Sequence, residues 1–406
     1  MSLPPSKTTK RTAQLFTVGI IGLLIIGYMA WATLTPGRSI AAATQAIAPA
    51  VPKTVSLAWP SYGQSALGVA DTSMILSNGD QSAKPIASIA KTILALALLK
   101  QKPIAAGSDG DTITFTDADI ELYKAQLAQN GSVVPINTGE QLTETQALDA
   151  LLLPSGNNIA DSLAVWGFGS NDAYLKYAND FVATLGMTKT HLADASGFSP
   201  DTVSTATDLV HLGEAILKEP VLAKVVATQE ADLPVVGKVE NLNALLGTND
   251  VVGIKTGNTD QAGGCLLVAS QGTTANGGAT IVTALMGAPD LSTVIQDTRH
   301  LLETNRANFQ PVSVVKAGDV VATYHSAWGA QTEAIATQNL TVYSPLGQTV
   351  TVAVNANVIK RSTASSASVG TLSATVGDNT QTVPISLKTK IAAPGFFWKL
   401  LHPGQG

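Results

Sequence analysis

The chain has 406 residues, a formal net charge of −5 at pH 7 and a charged fraction of 13%. This length allows two or more domains with separate cores, and the acidic balance without a basic stripe excludes a typical nucleic-acid-binding protein. The single cysteine, Cys265, excludes an intramolecular disulfide. It lies in an apolar run and is predicted to be a buried residue of a strand.

An uncharged stretch, Leu15–Leu34, follows a short basic segment. As a helix it is long enough to cross a bilayer core of about 30 Å. Lys7, Lys10 and Arg11 precede it, and the positive-inside bias predicts a cytoplasmic N-terminus (1–14), a transmembrane signal-anchor (15–34) and an extracytoplasmic catalytic domain. The protein is therefore expected to be a single-pass protein of the cell membrane. The alternative is a cleaved signal peptide, since small-residue cleavage sites follow the stretch.

The next segments mix linker, strand and helix patterns. Residues 35–54 are rich in Ala and Pro and are predicted to be a linker. Two short strands, near 65–69 and 73–77, open the region 55–309. Thr143 and Gln146 then match a capping box that begins a helix. The predicted helices of this region cover 143–153, 158–166, 173–185 and 206–217.

Strand patterns return in the last part of the region 55–309. The predicted strands cover 251–255, 265–270 and 280–287, and a helix capped by Asp290 follows. Strands at both ends around a helical middle predict one sheet with a helical insertion, which is an α+β architecture.

The remainder of the chain has a different pattern. Residues 310–390 alternate Val and Thr without a convincing helix and are predicted to form a small C-terminal β-sandwich. The aromatic tail, 391–406, either contacts the membrane or docks onto this sandwich.

The first of three short motifs is formed by Ser88 and Lys91, which fit the pattern S-x-x-K. A spacing of three places both side chains on one helix face. The surrounding run is almost wholly apolar, so Lys91 is expected to be buried, with a lowered pKa. A neutral lysine can act as general base for the Ser88 hydroxyl. Ser313 and Lys316 fit the same pattern, so this motif alone is not specific.

The second motif contains Ser155 and Asn157, which follow Pro154 in a break between two predicted helices. Loops at such breaks can project side chains into a cleft. Ser155 is predicted to relay a proton to the leaving amine, and Asn157 to hydrogen-bond the substrate backbone. The alternative is that both residues simply cap the next helix.

The third motif is Lys255, Thr256 and Gly257, directly after an apolar strand. Lys255 is expected to offer a fixed positive charge, and Thr256 can donate a hydrogen bond to a carboxylate. Gly257 is expected to leave room for an extended substrate along the strand edge. The three motifs in this order indicate an active-site serine enzyme that acts on acyl-D-alanine peptides or β-lactams.

Around these motifs the sequence resembles the D-alanyl-D-alanine carboxypeptidases, the low-molecular-mass penicillin-binding proteins. The resemblance implies the penicillin-binding, β-lactamase-like transpeptidase fold, an antiparallel sheet flanked by helices. It also implies a serine-type carboxypeptidase that removes the terminal D-Ala from peptidoglycan stem pentapeptides, with β-lactam antibiotics as covalent inhibitors. The segments that carry it are 85–91, 152–157, 196–197, 204–208, 253–259 and 262–263.

The same resemblance implies a role for each motif residue. Ser88 is acylated by the penultimate D-Ala, and Ser155 and Lys255 complete the proton relay that starts from the lysine base. Thr256 holds the terminal carboxylate of the substrate. The backbone N–H groups of Ser88 and Asn258 form the oxyanion hole.

Two positions depart from the family pattern. Asn158 stands where many relatives have Asp, and Asn258 stands where many have His. The role of Asn258 uses its backbone alone, so that change is of little consequence. The change at Asn158 can alter local charge and turnover.

Two other functions are compatible with this pattern. A class A-like β-lactamase needs a glutamate that activates the deacylating water, and the stretch His191–Asp194 contains none. A non-catalytic wall-binding protein of the same fold would not need the complete motif set. No cofactor or metal is expected, because the five histidines are scattered and no H-E-x-x-H motif occurs.

Overall fold

The computed structural model describes residues 7–50, 56–71, 74–271, 280–305, 308, 311–344, 347–360, 363–377 and 379–405. The chain divides into two compact units. One unit is Lys53–Gln310. It contains the three predicted motifs and is here called the catalytic unit. The other, here called the composite unit, combines Met1–Pro52 with Pro311–Gly406.

The helices are α1 (Lys7–Leu34), α2 (Ala90–Gln101), α3 (Asp117–Ala128), α4 (Glu144–Leu152), α5 (Asn157–Phe168), α6 (Asn171–Thr184), α7 (Ala206–Leu217), α8 (Pro220–Ala227), α9 (Leu291–Asn305) and α10 (Phe396–Leu401). The strands are β1 (Ala42–Thr44), β2 (Gln64–Val69), β3 (Ile75–Asn78), β4 (Lys84–Pro85), β5 (Thr112–Thr114), β6 (Gln141–Thr143), β7 (Val203–Ser204), β8 (Glu230–Leu233), β9 (Gly237–Glu240), β10 (Val251–Thr259), β11 (Gly263–Gln271), β12 (Thr280–Ala288), β13 (Pro311–Val315), β14 (Val320–His325), β15 (Gln331–Ala336), β16 (Leu340–Tyr343), β17 (Thr351–Ala356), β18 (Ser368–Val376) and β19 (Asn379–Leu387).

The catalytic unit is built on an antiparallel sheet in the order β10-β11-β12-β2-β3. The early strand β2 pairs with the late strand β12, with Ser65 opposite Leu285. Helices α2 to α8 lie in sequence between these two groups of strands. The predicted α+β architecture with a helical insertion is therefore confirmed, and Cys265 is buried in β11 as expected.

Helix α2 lies in the core of the catalytic unit. Its residues from Ala90 to Leu99 are all buried, which explains why the sequence shows no polar face there. A 3-10 turn, Ala87–Ile89, precedes it and carries Ser88. Ala87 has a φ of +47°, an uncommon conformation for a residue with a Cβ. The nucleophile candidate therefore sits on a sharp turn at the start of a buried helix.

The predicted helices of the catalytic unit are confirmed, with boundaries within a few residues. The Thr143 hydroxyl accepts a hydrogen bond from the Gln146 backbone at 3.2 Å, and the Gln146 side chain accepts one from the Thr143 backbone at 3.0 Å. Helix α3 was not predicted, because none of its residues is buried and it shows no apolar period. Helix α8 was also missed.

The composite unit contains a six-stranded sheet in the order β1-β14-β15-β19-β18-β17 and a two-stranded sheet of β13 and β16. Residues from both sheets share one apolar core. Val312 and Leu340 of the small sheet belong to the same cluster as Leu372 and Ile385 of the large one. The alternating Val and Thr pattern reflects strands with one buried face.

Part of the predicted linker 35–54 is a strand. Residues Ala42–Thr44 form β1, which pairs antiparallel with β14. Ile40 is 5% exposed and exchanges two backbone hydrogen bonds with Ile359, at 2.8 and 2.9 Å. A segment this short shows no period by itself, and its strand conformation depends on pairing with the open edge of β14.

The aromatic tail docks within the composite unit and also exposes apolar side chains. The Tyr28 hydroxyl of α1 donates a hydrogen bond to the Leu400 carbonyl at 2.8 Å. The Trp328 indole packs against Trp398, with ring centroids 5.8 Å apart. Phe397 of α10 is nevertheless 78% exposed. Within the described residues, α1 contains one stretch, from Gln14 to Leu34, that is long and apolar enough to cross a membrane.

Candidate active site

Ser88 and Lys91 contact each other as their spacing predicts. The Lys91 Nζ lies 2.8 Å from the Ser88 Oγ. Lys91 is fully buried, whereas Ser88 is partly exposed. The turn at Ala87–Ile89 and the first turn of α2 thus place a reachable hydroxyl over a desolvated amine.

Two further acceptors surround the Lys91 amine. Its Nζ donates to the Asn157 Oδ1 at 2.7 Å and to the Ser196 backbone carbonyl at 2.9 Å. Burial holds the pKa of Lys91 well below its usual range, and the nearby Lys255 lowers it further. The amine is therefore held in a defined orientation and in an environment that favours its neutral form.

Asn157 uses its side chain inside the protein. Its Nδ2 donates to the Gln126 Oε1 at 3.2 Å, while its Oδ1 accepts from Lys91. It is the first residue of α5, whose N-cap is Gly156 and has no side-chain cap bond. The alternative in which Ser155 and Asn157 cap this helix is therefore wrong.

Ser155 lies directly before this helix, and it is 3% exposed. Its φ is +68°, a conformation that disfavours a residue with a side chain. Within the described part of the chain its Oγ has no hydrogen-bond partner. A buried hydroxyl without a partner is unfavourable for folding, and functional sites are where such groups persist.

Lys255 and Thr256 lie in β10, at one edge of the five-stranded sheet. Both are buried, and the Lys255 Nζ donates to the Thr256 carbonyl at 3.2 Å. Burial lowers the pKa of Lys255 to about 7. Burial therefore disfavours the fixed positive charge that we expected at Lys255.

Gly257 allows β10 to approach the turn that carries Ser88. A Cβ added there would lie 3.0 Å from the Ala87 Cβ and 3.1 Å from the Ser88 backbone nitrogen. The missing side chain thus makes room for this turn. A larger residue would push the strand away from Ser88.

A cavity of about 750 Å³ opens over Ser88. Among the predicted site residues, Asn157 and Asn258 also line it. Gln126, Asp161 and Asp194 line it as well, although no sequence motif predicted them as site residues. No cluster of three or more potential metal ligands occurs in the part of the chain that the structure describes.

Asp194 organises the loop that presents the Ser196 carbonyl to Lys91. Its carboxylate accepts hydrogen bonds from the Ser196 hydroxyl at 2.7 Å, the Phe198 backbone at 2.9 Å and the Thr202 hydroxyl at 2.5 Å. The family-like segment 196–197 was the available sequence signal, but it did not reveal this contact.

Asn158 does not reach the site. Its side chain accepts from the Val134 backbone nitrogen and donates to the Val134 carbonyl, both at 2.9 Å, and it is fully buried. An amide can make both bonds at once, whereas an ionised carboxylate can only accept. Asn158 is therefore a clamp on the neighbouring loop, and its effect on turnover stays a prediction.

The fold is that of penicillin-binding proteins and DD-transpeptidases. Penicillin-binding protein 5 from Haemophilus influenzae superposes with a TM-score of 0.57, covering 86% of this chain and 100% of that chain at 19% identity. A mutant of the Streptomyces K15 DD-transpeptidase superposes with a TM-score of 0.53, covering 59% and 96% at 20% identity. At these identities the likeness shows the fold alone.

Among proteins with this fold, sequence comparison assigns the chain to one family. The model of the D-alanyl-D-alanine carboxypeptidases of peptidase family S11 matches residues 64–290, and the chain belongs to this family. The carboxypeptidase DacB2 of Mycobacterium tuberculosis is 33% identical over 227 residues, which are 53% of this chain and 71% of that protein. DacA of Escherichia coli is 28% identical over 194 residues, and the chain spans 47% of its length.

Proposed function

We propose that this protein is a serine-type D-Ala-D-Ala carboxypeptidase that removes the terminal D-alanine from peptidoglycan stem pentapeptides. The observation that carries the proposal is the 2.8 Å contact between the buried Lys91 amine and the partly exposed Ser88 hydroxyl. Membership of the S11 family supports the reaction type over that of a β-lactamase or a silent binding protein. The cavity over Ser88 gives room for the end of a peptide.

Lys91 acts as the general base. The Asn157 Oδ1 and the Ser196 carbonyl can only accept hydrogen bonds, so they take two hydrogens of the amine. A neutral amine has two hydrogens and one lone pair. The lone pair is then left for the hydrogen of the Ser88 hydroxyl, which is the arrangement that activates a serine nucleophile.

The reaction follows in two stages. The Ser88 Oγ attacks the carbonyl carbon of the penultimate D-Ala while Lys91 takes its proton, and the N–H groups of Ser88 and Asn258 stabilise the oxyanion. The C–N bond to the terminal D-Ala breaks, and its nitrogen receives the proton through Ser155 and Lys255. Water then hydrolyses the ester and releases the shortened peptide.

Strand β10 and Asn157 bind the substrate. The free edge of β10 can pair with an extended peptide, and Thr256 then holds the terminal carboxylate. The Asn157 Nδ2 has two hydrogens, and Gln126 takes one of them. The other is available to the substrate backbone. β-Lactams that mimic this peptide are expected to acylate the same serine.

Mass spectrometry of the penicillin-treated protein tests the assignment. We expect one adduct on Ser88, none in Ser88→Ala, and acylation about 100-fold slower or more in Lys91→Ala, since a general base contributes at least that much. Ser313→Ala is the matched control, because Ser313 of β13 and Lys316 directly after it repeat the S-x-x-K pattern. An adduct that persists in both active-site variants, or one on Ser313, contradicts the proposal.

Release of D-Ala from a pentapeptide separates a carboxypeptidase from a β-lactamase, which would instead turn over a cephalosporin.

We further propose that α1 anchors the protein in the cell membrane by a single pass, with the catalytic unit on the extracytoplasmic side. Only 6% of its apolar stretch is buried within the structure, so most of its apolar side chains are exposed. Lys7, Lys10 and Arg11 before it favour a cytoplasmic N-terminus. Alkaline extraction and protease protection of membranes test this topology. A form without residues 1–34 in the soluble fraction would indicate cleavage instead.

The tail helix α10 is proposed to lie at the membrane surface beside α1. Its exposed Phe397 and Leu401 extend the apolar surface of α1, to which Tyr28 links it. In reconstituted vesicles, Phe397→Glu should reduce the quenching of Trp398 fluorescence by quenchers attached to the lipids. Equal quenching in both proteins would contradict this contact.

A further inference from the structure

A row of hydrogen bonds leads from the Lys91 amine to a carboxylate that the proposed reaction does not use. The Asn157 Oδ1 accepts from Lys91 at 2.7 Å, and the Asn157 Nδ2 donates to the Gln126 Oε1 at 3.2 Å. The Gln126 Nε2 in turn donates to the Asp161 Oδ2 at 2.6 Å. The row therefore ends on Asp161, which lines the same cavity as Ser88.

The chemistry of its last member gives this row a direction. An ionised carboxylate only accepts hydrogen bonds, so the NH2 group of Gln126 must face Asp161. The Gln126 oxygen then faces Asn157, whose NH2 group must turn toward it. This leaves the Asn157 oxygen for Lys91. The orientation of both amides follows from the network and not from either amide alone.

If the hydrogen bonds of this row ran in the opposite direction, Lys91 could not act as the base. The Asn157 NH2 group would then point at Lys91 and donate into the lone pair that the Ser88 hydroxyl needs. An amide side chain has nearly the same shape in both orientations, so sterics cannot prevent this reversal. The ionised carboxylate of Asp161 can prevent the reversal, because it only accepts hydrogen bonds.

The surrounding backbone makes room for the row. Asn157 and Asp161 lie one turn apart on α5, on one face of the helix, and α3 supplies Gln126. A Cβ added to Gly131 would lie 2.8 Å from both the Asn157 Nδ2 and the Gln126 Oε1. The glycine thus leaves space for this one hydrogen bond.

We propose that Gln126 and Asp161 are positioning residues for acylation, which hold the Asn157 oxygen on Lys91 and so keep the lone pair of Lys91 on Ser88. The inference rests on the proposed function, because it takes Lys91 as the base. It adds two residues that neither the motifs nor the family resemblance indicated.

The charges around Lys91 provide a signature that a structural role would not give. Lys255 lowers the pKa of Lys91, whereas Asp194 and Asp161 raise it. Burial raises the pKa of Asp161 itself, and the hydrogen bond from Gln126 opposes that rise. Loss of the Asp161 charge therefore lowers the pKa of Lys91. Acylation requires the neutral amine, so its acid limb moves to lower pH.

The test measures acylation by a fluorescent penicillin in full-length variants. Gln126→Met keeps the size of the side chain and removes the amide. We expect the maximal acylation rate to fall about 10- to 100-fold, the range for a misplaced catalytic group. Gln101→Met, at the exposed end of α2, is the matched control and should stay within about twofold, as surface changes usually do. Gly131→Ala should act like Gln126→Met, because its methyl group meets the Asn157–Gln126 hydrogen bond.

A second test exchanges the amide of residue 126 with the carboxylate of residue 161. In Gln126→Glu with Asp161→Asn, the carboxylate at 126 accepts from Asn157 directly and the new amide donates to it. The direction of the row is restored. We expect this double variant to acylate faster than either single variant, which is a positive coupling in a double-mutant cycle. Asp161→Asn alone should lower the maximal rate and move the acid limb to lower pH.

The outcomes separate this inference from the proposed function. If the unaltered protein labels on Ser88 but Gln126→Met and Gly131→Ala match the control, the positioning role is wrong and the function stands. If the double variant is no faster than the singles, or if Asp161→Asn slows deacylation alone, Asp161 does not act through the row. Failure of the unaltered protein to label overturns the proposed function itself. Circular dichroism melts of each variant identify a loss caused by unfolding.

Discussion

Lys91 and Lys255 illustrate how burial changes what a lysine can do. Water solvates an ammonium ion far better than a protein interior does, so desolvation shifts each amine toward its neutral form. Lys91 is surrounded by three oxygen atoms within 2.9 Å, and these orient it. Lys255 contacts the Thr256 carbonyl at 3.2 Å and keeps a pKa of about 7. Lys91 is the proposed base, and the pKa of Lys255 lies near neutral pH.

The pKa of Lys255 predicts the alkaline side of the pH profile. A lysine is protonated below its pKa, so a reaction that needs the charged amine loses rate as the pH rises through about 7. We expect kcat/KM for D-alanine release to fall above this pH. In Lys255→Arg the guanidinium stays charged, so this fall should disappear even if the maximal rate is lower. Profiles measured between about pH 5 and 10 check the prediction, and the same alkaline fall in both proteins contradicts it.

Some contacts of the site could be predicted from the sequence, and others could not. The contact of Ser88 with Lys91 was predictable because three positions along a helix bring two side chains together. The partners Asn157 and Ser196 are 66 and 105 positions from Lys91, so only packing brings them to it. Gln126 belongs to no motif, and nothing in the sequence distinguishes it from the other glutamines.

At the scale of elements, α5 carries two adjacent asparagines with different tasks. Asn157 faces Lys91, whereas Asn158 faces Val134 in the preceding loop. Successive residues of a helix point about 100° apart, so neighbours serve different surroundings. The loop that Asn158 clamps also contains Gly131, and its position determines the space above Gln126.

Asn158→Asp is expected to destabilise the catalytic unit. The aspartate cannot donate to the Val134 carbonyl, and it places a charge at a fully buried position. We expect a loss of about 1–3 kcal/mol or more in the free energy of unfolding, typical of an unsatisfied buried polar group. Thermal melts measure it, with Asn130→Asp at an exposed position of the same loop as the control. Equal melting temperatures in the two variants would show that the clamp contributes nothing.

Helix α4 and helix α3 show why some elements were predictable and others not. Helix α4 has a capping box and an apolar face, both of which are local in sequence. Helix α3 has a capping box at Thr116 and Asp119, but none of its residues is buried. It therefore lacks the apolar period by which helices are recognised, although it supplies Gln126 to the site.

At the scale of the whole molecule, the chain joins its two ends in one unit. The composite unit takes β1 from the segment after α1 and its other strands from the C-terminal part. Helix α1, the proposed membrane anchor, and the edge strand β1 are separated by few residues, so the proposed anchor leads directly into a folded sheet. The segment after α1 is thus a structural part of this unit.

Ile40→Ala tests the contribution of this segment. The Ile40 side chain is buried in the core of the composite unit, and Ile-to-Ala changes at such sites cost about 2–5 kcal/mol. We expect calorimetry to show a lower melting temperature for the composite unit, while acylation of Ser88 in the other unit is unchanged. Val358→Ala removes an exposed side chain and should have little effect. A melting temperature unchanged in Ile40→Ala would contradict the structural role of the segment.

The sequence by itself determined the features that depend on neighbours a few positions apart: the apolar helix, the capped helices, the strands of the central sheet and the Ser88–Lys91 pair. Each is encoded in local spacing, because helix and strand periods repeat over a few residues. Only the tertiary structure decided that Ser196 and Asn157 contact the Lys91 amine, that burial lowers the pKa of Lys255, and that β1 pairs with β14, far along the chain. These outcomes depend on desolvation and on contacts between segments far apart in the chain, and no local pattern records either.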